Sequence, residues 1–210
     1  YILGDFFEAW VGDDSLSQPF NRDIVHALKS LGDRGVEIFF LPGNRDFLAG
    51  LDFAKAAGLN LLADPTRIDL HGVPTLLAHG DQFCTDDTTY QIFRRQVRDP
   101  VWQQQFLAQP LELRLAQARA LRERSEHAKA DKKPDIMDVS PAAISAMLDA
   151  HPIRRIIHGH THRPARHAHP NSGLPAATLG RIPRRQHEHP KQACRDGVRL
   201  RPCLATVLPA

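Results

Sequence analysis

The chain has 210 residues, 42% of them hydrophobic and 24% charged, and a formal net charge of +3; this is ordinary for one soluble globular domain with a small insertion. No apolar run reaches the roughly 18 residues that span a bilayer, so no segment reads as a transmembrane helix. Arginine is bunched at 94–124 and after Gly180, a distribution that suits nucleic acid, an anionic membrane surface or a phosphorylated substrate.

Tyr1-Ile2-Leu3 reads as a buried strand that ends at Gly4-Asp5. It has neither the basic nor the apolar region of a signal peptide, and a chain that opens inside a strand is expected to lack the residues before it. Asn21 to Leu31 puts Ile24, Val25, Leu28 and Leu31 on one helical face, closed by Gly32 and Gly35. Val36–Leu41 is a β-branched and aromatic strand that ends in Pro42-Gly43-Asn44, and Phe47–Ala57 is a short helix closed by Gly58. Thr66–Leu70 and Thr75–Ala78 flank His71-Gly72-Val73-Pro74 as a hairpin whose second strand runs into His79-Gly80-Asp81. Residues 85–134 are helix-rich and charged, with Leu111, Leu115, Ala118 and Leu121 along one face, and read as a helical cap. Ser140-Pro141 then starts a helix that reaches Ala150. Arg154–Ile157 is the last core strand, ending in His158-Gly159-His160-Thr161-His162. The Arg-, Pro- and His-rich tail after Gly180 cannot form a central strand.

Polar residues of ligand type follow strand ends four times, and layered α/β folds assemble their sites from such loops. The candidates are Asp5, Asn44, His79, His160 and His162. One carboxylate, one amide and three imidazoles, with no thiolate, suit Mn²⁺, Fe²⁺ or Zn²⁺ better than a structural zinc site. Each has a plainer reading: Asp5 as a helix cap, Asn44 as a turn residue, His79 as a hydrogen-bonded core histidine. Four independent strand ends with matching chemistry weigh against those readings together. His160 and His162, two apart after a strand, can address two adjacent ions, whereas His158 reads as structural or supporting. Cys84, Cys194 and Cys203 show no zinc-type spacing and read as reduced thiols of a cytoplasmic protein.

Gly4-Asp5, Gly43-Asn44-Arg45-Asp46, His79-Gly80-Asp81 and Gly159-His160-Thr161-His162 resemble the ordered blocks of the calcineurin-like metallophosphoesterases. Within that superfamily, Phe6 to Asp14, Cys84-Thr85-Asp86-Asp87 with Tyr90, Ile136-Met137-Asp138-Val139 and Arg163-Pro164 are similar to the UDP-2,3-diacylglucosamine hydrolase family of lipid A biosynthesis. The similarity covers residues 1 to about 180. It implies an α/β (α+β) layered fold, a β-sandwich flanked by helices and here without its first strand, with a core at 1–84 and 135–180 and a cap at 85–134; the tail at 181–210 departs from the family pattern and is expected to be atypical and poorly ordered. It implies two Mn²⁺ ions bridged by Asp5, with Asn44, His79 and His160 completing one site and His162 in the other. The second site also uses an Asp-x-His motif on a first strand that does not precede Asp5 here. Asp5, Asn44, His79 and His160 are the catalytic set by the same resemblance. Asn44, Arg45, Asp87, Ser125, Lys129, Lys132 and His160 would contact the substrate, although Lys129 and Lys132 taken alone read as a solvated face.

The implied reaction is attack on the α-phosphorus of a nucleotide-lipid pyrophosphate, giving UMP and 2,3-diacylglucosamine 1-phosphate. The implied setting is cytoplasmic, on the inner membrane surface, for a monomer that binds no nucleic acid. The missing strand is expected to leave an open sheet edge and very weak hydrolysis, and the tail is expected to reflect a reading-frame change. Two other readings stand beside this one: an inactive remnant that binds without turnover, and a phosphoesterase acting on a soluble nucleotide. The cap and the Cys84–Asp87 block argue against the latter.

Overall fold

The computed structural model describes residues 1–130, 134–168 and 175–178. Lys132, Cys194, Cys203 and the tail at 181–210 lie outside them.

Helix α1 (Pro19–Asp33) is longer than its apolar periodicity, because Pro19 pre-sets the first turn. The strand expected at Val36–Leu41 is only β1 (Phe39–Phe40). Val36 belongs instead to the turn that closes α1, its N–H donating to Leu31 O at 3.2 Å. β1 runs parallel to β2 (Asn60–Leu61) on one side and bridges Ile2, also parallel, on the other. Helix α2 (Leu51–Ala57) starts four residues later than the sequence suggested. The reason is remote in sequence: the Asp13 carboxylate accepts the N–H groups of Gly50, Asp52 and Phe53 at 2.9–3.0 Å. That side chain satisfies the free donors of a helix start and so fixes where the helix begins.

β3 (Thr66–Leu70) and β4 (Val73–Ala78) pair antiparallel through His71-Gly72. Both turn residues have positive φ, 54° and 78°, which is the two-residue turn that matches strand twist. Helices α3 (Thr88–Val97), α4 (Pro100–Leu107) and α5 (Leu111–Ala130) follow without an intervening strand. α6 (Pro141–Ala150) leads into β5 (Arg155–His158). That strand is not the last of the sheet, as the sequence had suggested. β6 (Ala165–Ala168) and β7 (Pro175–Thr178) complete a five-stranded sheet in the order β3-β4-β5-β7-β6, with β4, β5 and β7 parallel. The Pro-Ala-Ala-Thr composition of β7 carries no period-two apolar signal, so only its pairing partner defines it as a strand.

The two sheets form layers, as their alternation dictates. Leu77 and Ile157 pack with Leu3 and Leu41 between the sheets, whereas their neighbours Leu76 and Ile156 pack with Ile144 and Leu148 of α6. β4 and β5 are therefore covered on both faces, as parallel central strands require. Each fully buried aliphatic side chain contributes about 1.5–3 kcal/mol. A third cluster joins Trp10, Phe40 and Phe53 to Phe106 of α4, so the helical segment shares a core with the N-terminal layer.

Ala78 stands opposite His158 in the parallel β4–β5 pair, and Ile2 opposite Phe40 in the other sheet. Four chain segments thus leave their sheets toward a common edge, carrying Asp5, Asn44, His79 and His160.

Candidate metal centre

The loops meet closely because two of them turn on glycine. A Cβ on Gly43 would lie 2.5 Å from the Asp5 nitrogen, and one on Gly4 (φ +76°) would lie 2.8 Å from His79 Nδ1. No other residue fits at either point. Asp5, His160 and His162 themselves hold positive φ of 53°, 68° and 55°. Non-glycine residues adopt this region at a cost, and it clusters at functional sites.

The Asp5 carboxylate, the His79 and His160 imidazoles each offer one ligand atom, all within 4.8 Å of one another. His79 Nε2 lies 3.6 Å from Asp5 Oδ1 and 3.2 Å from His160 Nδ1. The Asn44 carboxamide stands 2.9 Å from both imidazoles. With its nitrogen inward it donates to them and, at 3.2 Å, to Asp5; with its oxygen inward it adds another acceptor to the ring. Nδ1 of His79 donates to Leu3 O at 2.8 Å, which fixes the ring and turns Nε2 toward the cluster; burial opposes its charge, but Asp5 and Asp81 outweigh that and raise its pKa, so a metal at Nε2 would displace a proton. Burial, then the neighbouring His79, holds His160 down at about 4, so it is neutral at pH 7. Ligands about 2.1 Å from an ion sit about 3 Å from one another at right angles. The spacings here match that, and the donor set fits a divalent cation of the Mn²⁺, Fe²⁺ or Zn²⁺ type.

His162 is exposed and lines the same cavity but is not among the three converging ligand atoms. Arg45 lies 3.6 Å from Asp5 and pairs at 2.5 Å with Glu8. Asp87 caps α3, accepting the Tyr90 N–H at 3.1 Å, and with the exposed Ser125 lines the cavity. Lys129 belongs to α5, and its side chain lies outside the described residues. His158 is buried, with Nδ1 3.1 Å from Gly159 O and its ring against Phe83, in keeping with a supporting place.

Several residues were given no role from sequence. Asp46, fully buried, accepts the N–H groups of Asp5, Phe6, Phe7 and Gly43 at 2.7–3.3 Å. Burial, then the charge of Asp5, pushes its carboxyl up to about 6. A short acid two residues after Asn44 in a glycine turn was the available signal for it. Glu8 pairs with Arg45 and also with Arg122 of α5, joining the metal loop to the helical segment. Tyr90 donates to Asp81 at 2.9 Å, and its ring centroid lies 5.6 Å from that of His160.

The metal cluster opens into a cavity of about 690 Å³. Asp5, Asn44, Arg45 and His160 line one part of it, and Phe93, Val97, Trp102, Phe106 and Leu121 another.

Comparison with known proteins agrees with this geometry. Residues 1–164 match the calcineurin-like phosphoesterase family model. The chain is 52% identical over 169 residues to a UDP-2,3-diacylglucosamine hydrolase of Aromatoleum aromaticum, covering 80% of this chain and 69% of the relative. It is 49% identical over 179 residues to the protein of that name from Chromohalobacter salexigens (85% and 72%) and 50% identical over 175 residues to the one from Stenotrophomonas maltophilia (80% and 70%). With a mixed α/β fold, ligand-bearing loops at one sheet edge and a family match over most of its length, the chain belongs to the calcineurin-like phosphoesterases, a family of metal-dependent hydrolases.

Proposed function

We propose that this chain hydrolyses the pyrophosphate bond of UDP-2,3-diacylglucosamine, giving UMP and 2,3-diacylglucosamine 1-phosphate in lipid A biosynthesis. One observation carries the reading: a single cavity is lined both by the polar cluster and by aromatic and aliphatic side chains of α3, α4 and α5. A diphosphate and acyl chains need those two environments side by side. A soluble nucleotide would leave the chamber wall without an occupant.

Asp5, Asn44, His79 and His160 would hold divalent cations, with Mn²⁺ the expected metal and His162 at a second, adjacent position. Such ions supply activation of water and stabilisation of charge on phosphorus. Arg45, between Asp5 and Glu8, is placed to take a phosphate oxygen, and a guanidinium does this with directional hydrogen bonds. Arg122, half-buried on α5 and paired with Glu8, brings a second cation to the same wall. Asp87 and Ser125 would meet the polar head of the lipid. Tyr90 and the surrounding rings would make part of the cavity wall apolar, where charge interactions are stronger than in water.

The lipid substrate draws the enzyme to the cytoplasmic membrane surface. Among the described residues no helix is long and apolar enough to cross a membrane, whereas Arg95, Arg119 and Arg124 are exposed on the helical segment and suit anionic headgroups.

The test is product analysis by mass spectrometry with UDP-2,3-diacylglucosamine and with a water-soluble UDP-sugar, each with Mn²⁺. UMP and the lipid 1-phosphate should form from the first, and His79→Ala should abolish them. Equal or faster cleavage of the soluble compound would rule out the lipid assignment.

A further inference from the structure

Two buried carboxylates beside the metal cluster have no part in the chemistry proposed above. Asp64 accepts the backbone N–H of His79 at 2.9 Å, and Asp81 lies two residues beyond His79; their side chains are 2% and 0% exposed. Buried carboxylates need cationic partners, and here they are Arg94 of α3 and Arg98, which caps its C-terminus. Arg94 lies 3.0 Å from Asp81 and 3.7 Å from Asp64. Arg98 lies 3.9 Å from Asp81 and 4.0 Å from Asp64. Arg98 also donates to Gly43 O at 3.2 Å and stacks over Phe47 at 5.8 Å.

The consequence is a direct link between the helical segment and two metal loops. Through Asp64 the arginines reach the backbone of His79. Through Gly43 Arg98 reaches the residue before Asn44. Neither guanidinium is among the ligand atoms, so any effect passes through those loops.

We propose that Arg94 and Arg98 are positioning residues for the metal centre, holding the His79 and Asn44 loops in register through Asp64, Asp81 and Gly43. This rests on the divalent-cation reading of the cluster. Supporting partners that orient metal ligands typically change metal affinity or activity by about 10–100-fold when removed.

The experiment is calorimetric titration of Mn²⁺ into the unaltered chain, Arg98→Met, Arg98→Lys and Asp64→Asn, with thermal melts of each metal-free protein. Arg98→Met and Asp64→Asn should raise the Mn²⁺ Kd about 10–100-fold. Arg98→Lys, which keeps the charge but not the planar fork, should fall between them and the unaltered chain. A lowered melting temperature with unchanged Kd in the folded variants would make the arginines merely structural and end the proposal. Should Arg98→Met fail to fold, the Lys and Asn variants decide by the same criterion. An unaltered chain that binds no Mn²⁺ would overturn the metal reading itself, and the positioning role with it.

Discussion

The carboxylate of Asp46 accepts the backbone N–H of Asp5 at 3.2 Å and so ties the first metal loop to the second. The same group holds Gly43 at 2.7 Å and Phe6 at 2.7 Å. A single side chain therefore helps to set the relative position of Asp5 and Asn44.

Replacing it should cost both stability and site geometry. Asp46→Ala strands four buried N–H groups, and each unsatisfied donor costs about 1–3 kcal/mol. We expect a loss of about 3–5 kcal/mol in urea unfolding, allowing for partial relaxation. Asp46→Asn keeps one acceptor oxygen and should lose less. A loss below about 1 kcal/mol for the alanine variant would contradict the account.

Arg114 ties the helical segment to the N-terminal loop. Its guanidinium is 2% exposed, donates to Val11 O and, at 2.9 Å, to Gln109 O, and pairs with Asp14. Arg114→Ala leaves the Val11 carbonyl buried without its donor and opens space between α5 and the loop. A destabilisation of about 2–4 kcal/mol is expected. Asp14 is half-exposed, so Asp14→Asn should cost under about 1 kcal/mol. Comparing the two urea midpoints separates the carbonyl contact from the ion pair, and equal losses would place the effect in the pair.

The convergence of Asp5, His79 and His160 was legible from sequence because strand ends punctuated by glycine announce themselves locally. Gly4-Asp5, Gly43-Asn44 and Gly159-His160 all carried that signal, and the fold brings Asp5, His79 and His160 together. What could not be read were interactions between distant segments. The start of α2 is fixed by Asp13, which lies 37 residues before Gly50. The arginine cluster beginning at 94 suggested an anionic surface or a phosphorylated substrate, yet Arg94 and Arg98 face buried carboxylates. β7 exists because β5 offers it a parallel partner at Ile157 and His158, and four residues of weak propensity could not announce that.

Cys84 should be chemically inert in the folded protein. Burial, and then the charge of Asp81, pushes its thiol up to about 12 from 9.0. The thiolate is the reactive form, so its fraction at pH 8 falls about a thousandfold relative to a free thiol. Iodoacetamide labelling resolved by peptide mapping should leave Cys84 unmodified at pH 8 and label it readily in urea. Reactivity should rise with pH only in the strongly alkaline range. Rapid native labelling at pH 8 would show that the thiol is neither buried nor perturbed.

The apolar chamber offers the sharpest separation of lipid from nucleotide recognition. Ala118 on α5 lines it and packs against the cluster that contains Trp10 and Phe106. Ala118→Trp adds a large ring to the wall while leaving Asp5, Asn44, His79 and His160 untouched. Shortening the space for a chain by several methylenes removes about 0.8 kcal/mol of burial for each. KM for UDP-2,3-diacylglucosamine should therefore rise roughly 10–100-fold, and the effect should shrink stepwise as the acyl chains are shortened. Mn²⁺ affinity should stay the same. Loss of metal binding in this variant would mean that the ring had displaced the loops themselves. An unchanged KM across chain lengths would show that acyl chains do not occupy this chamber.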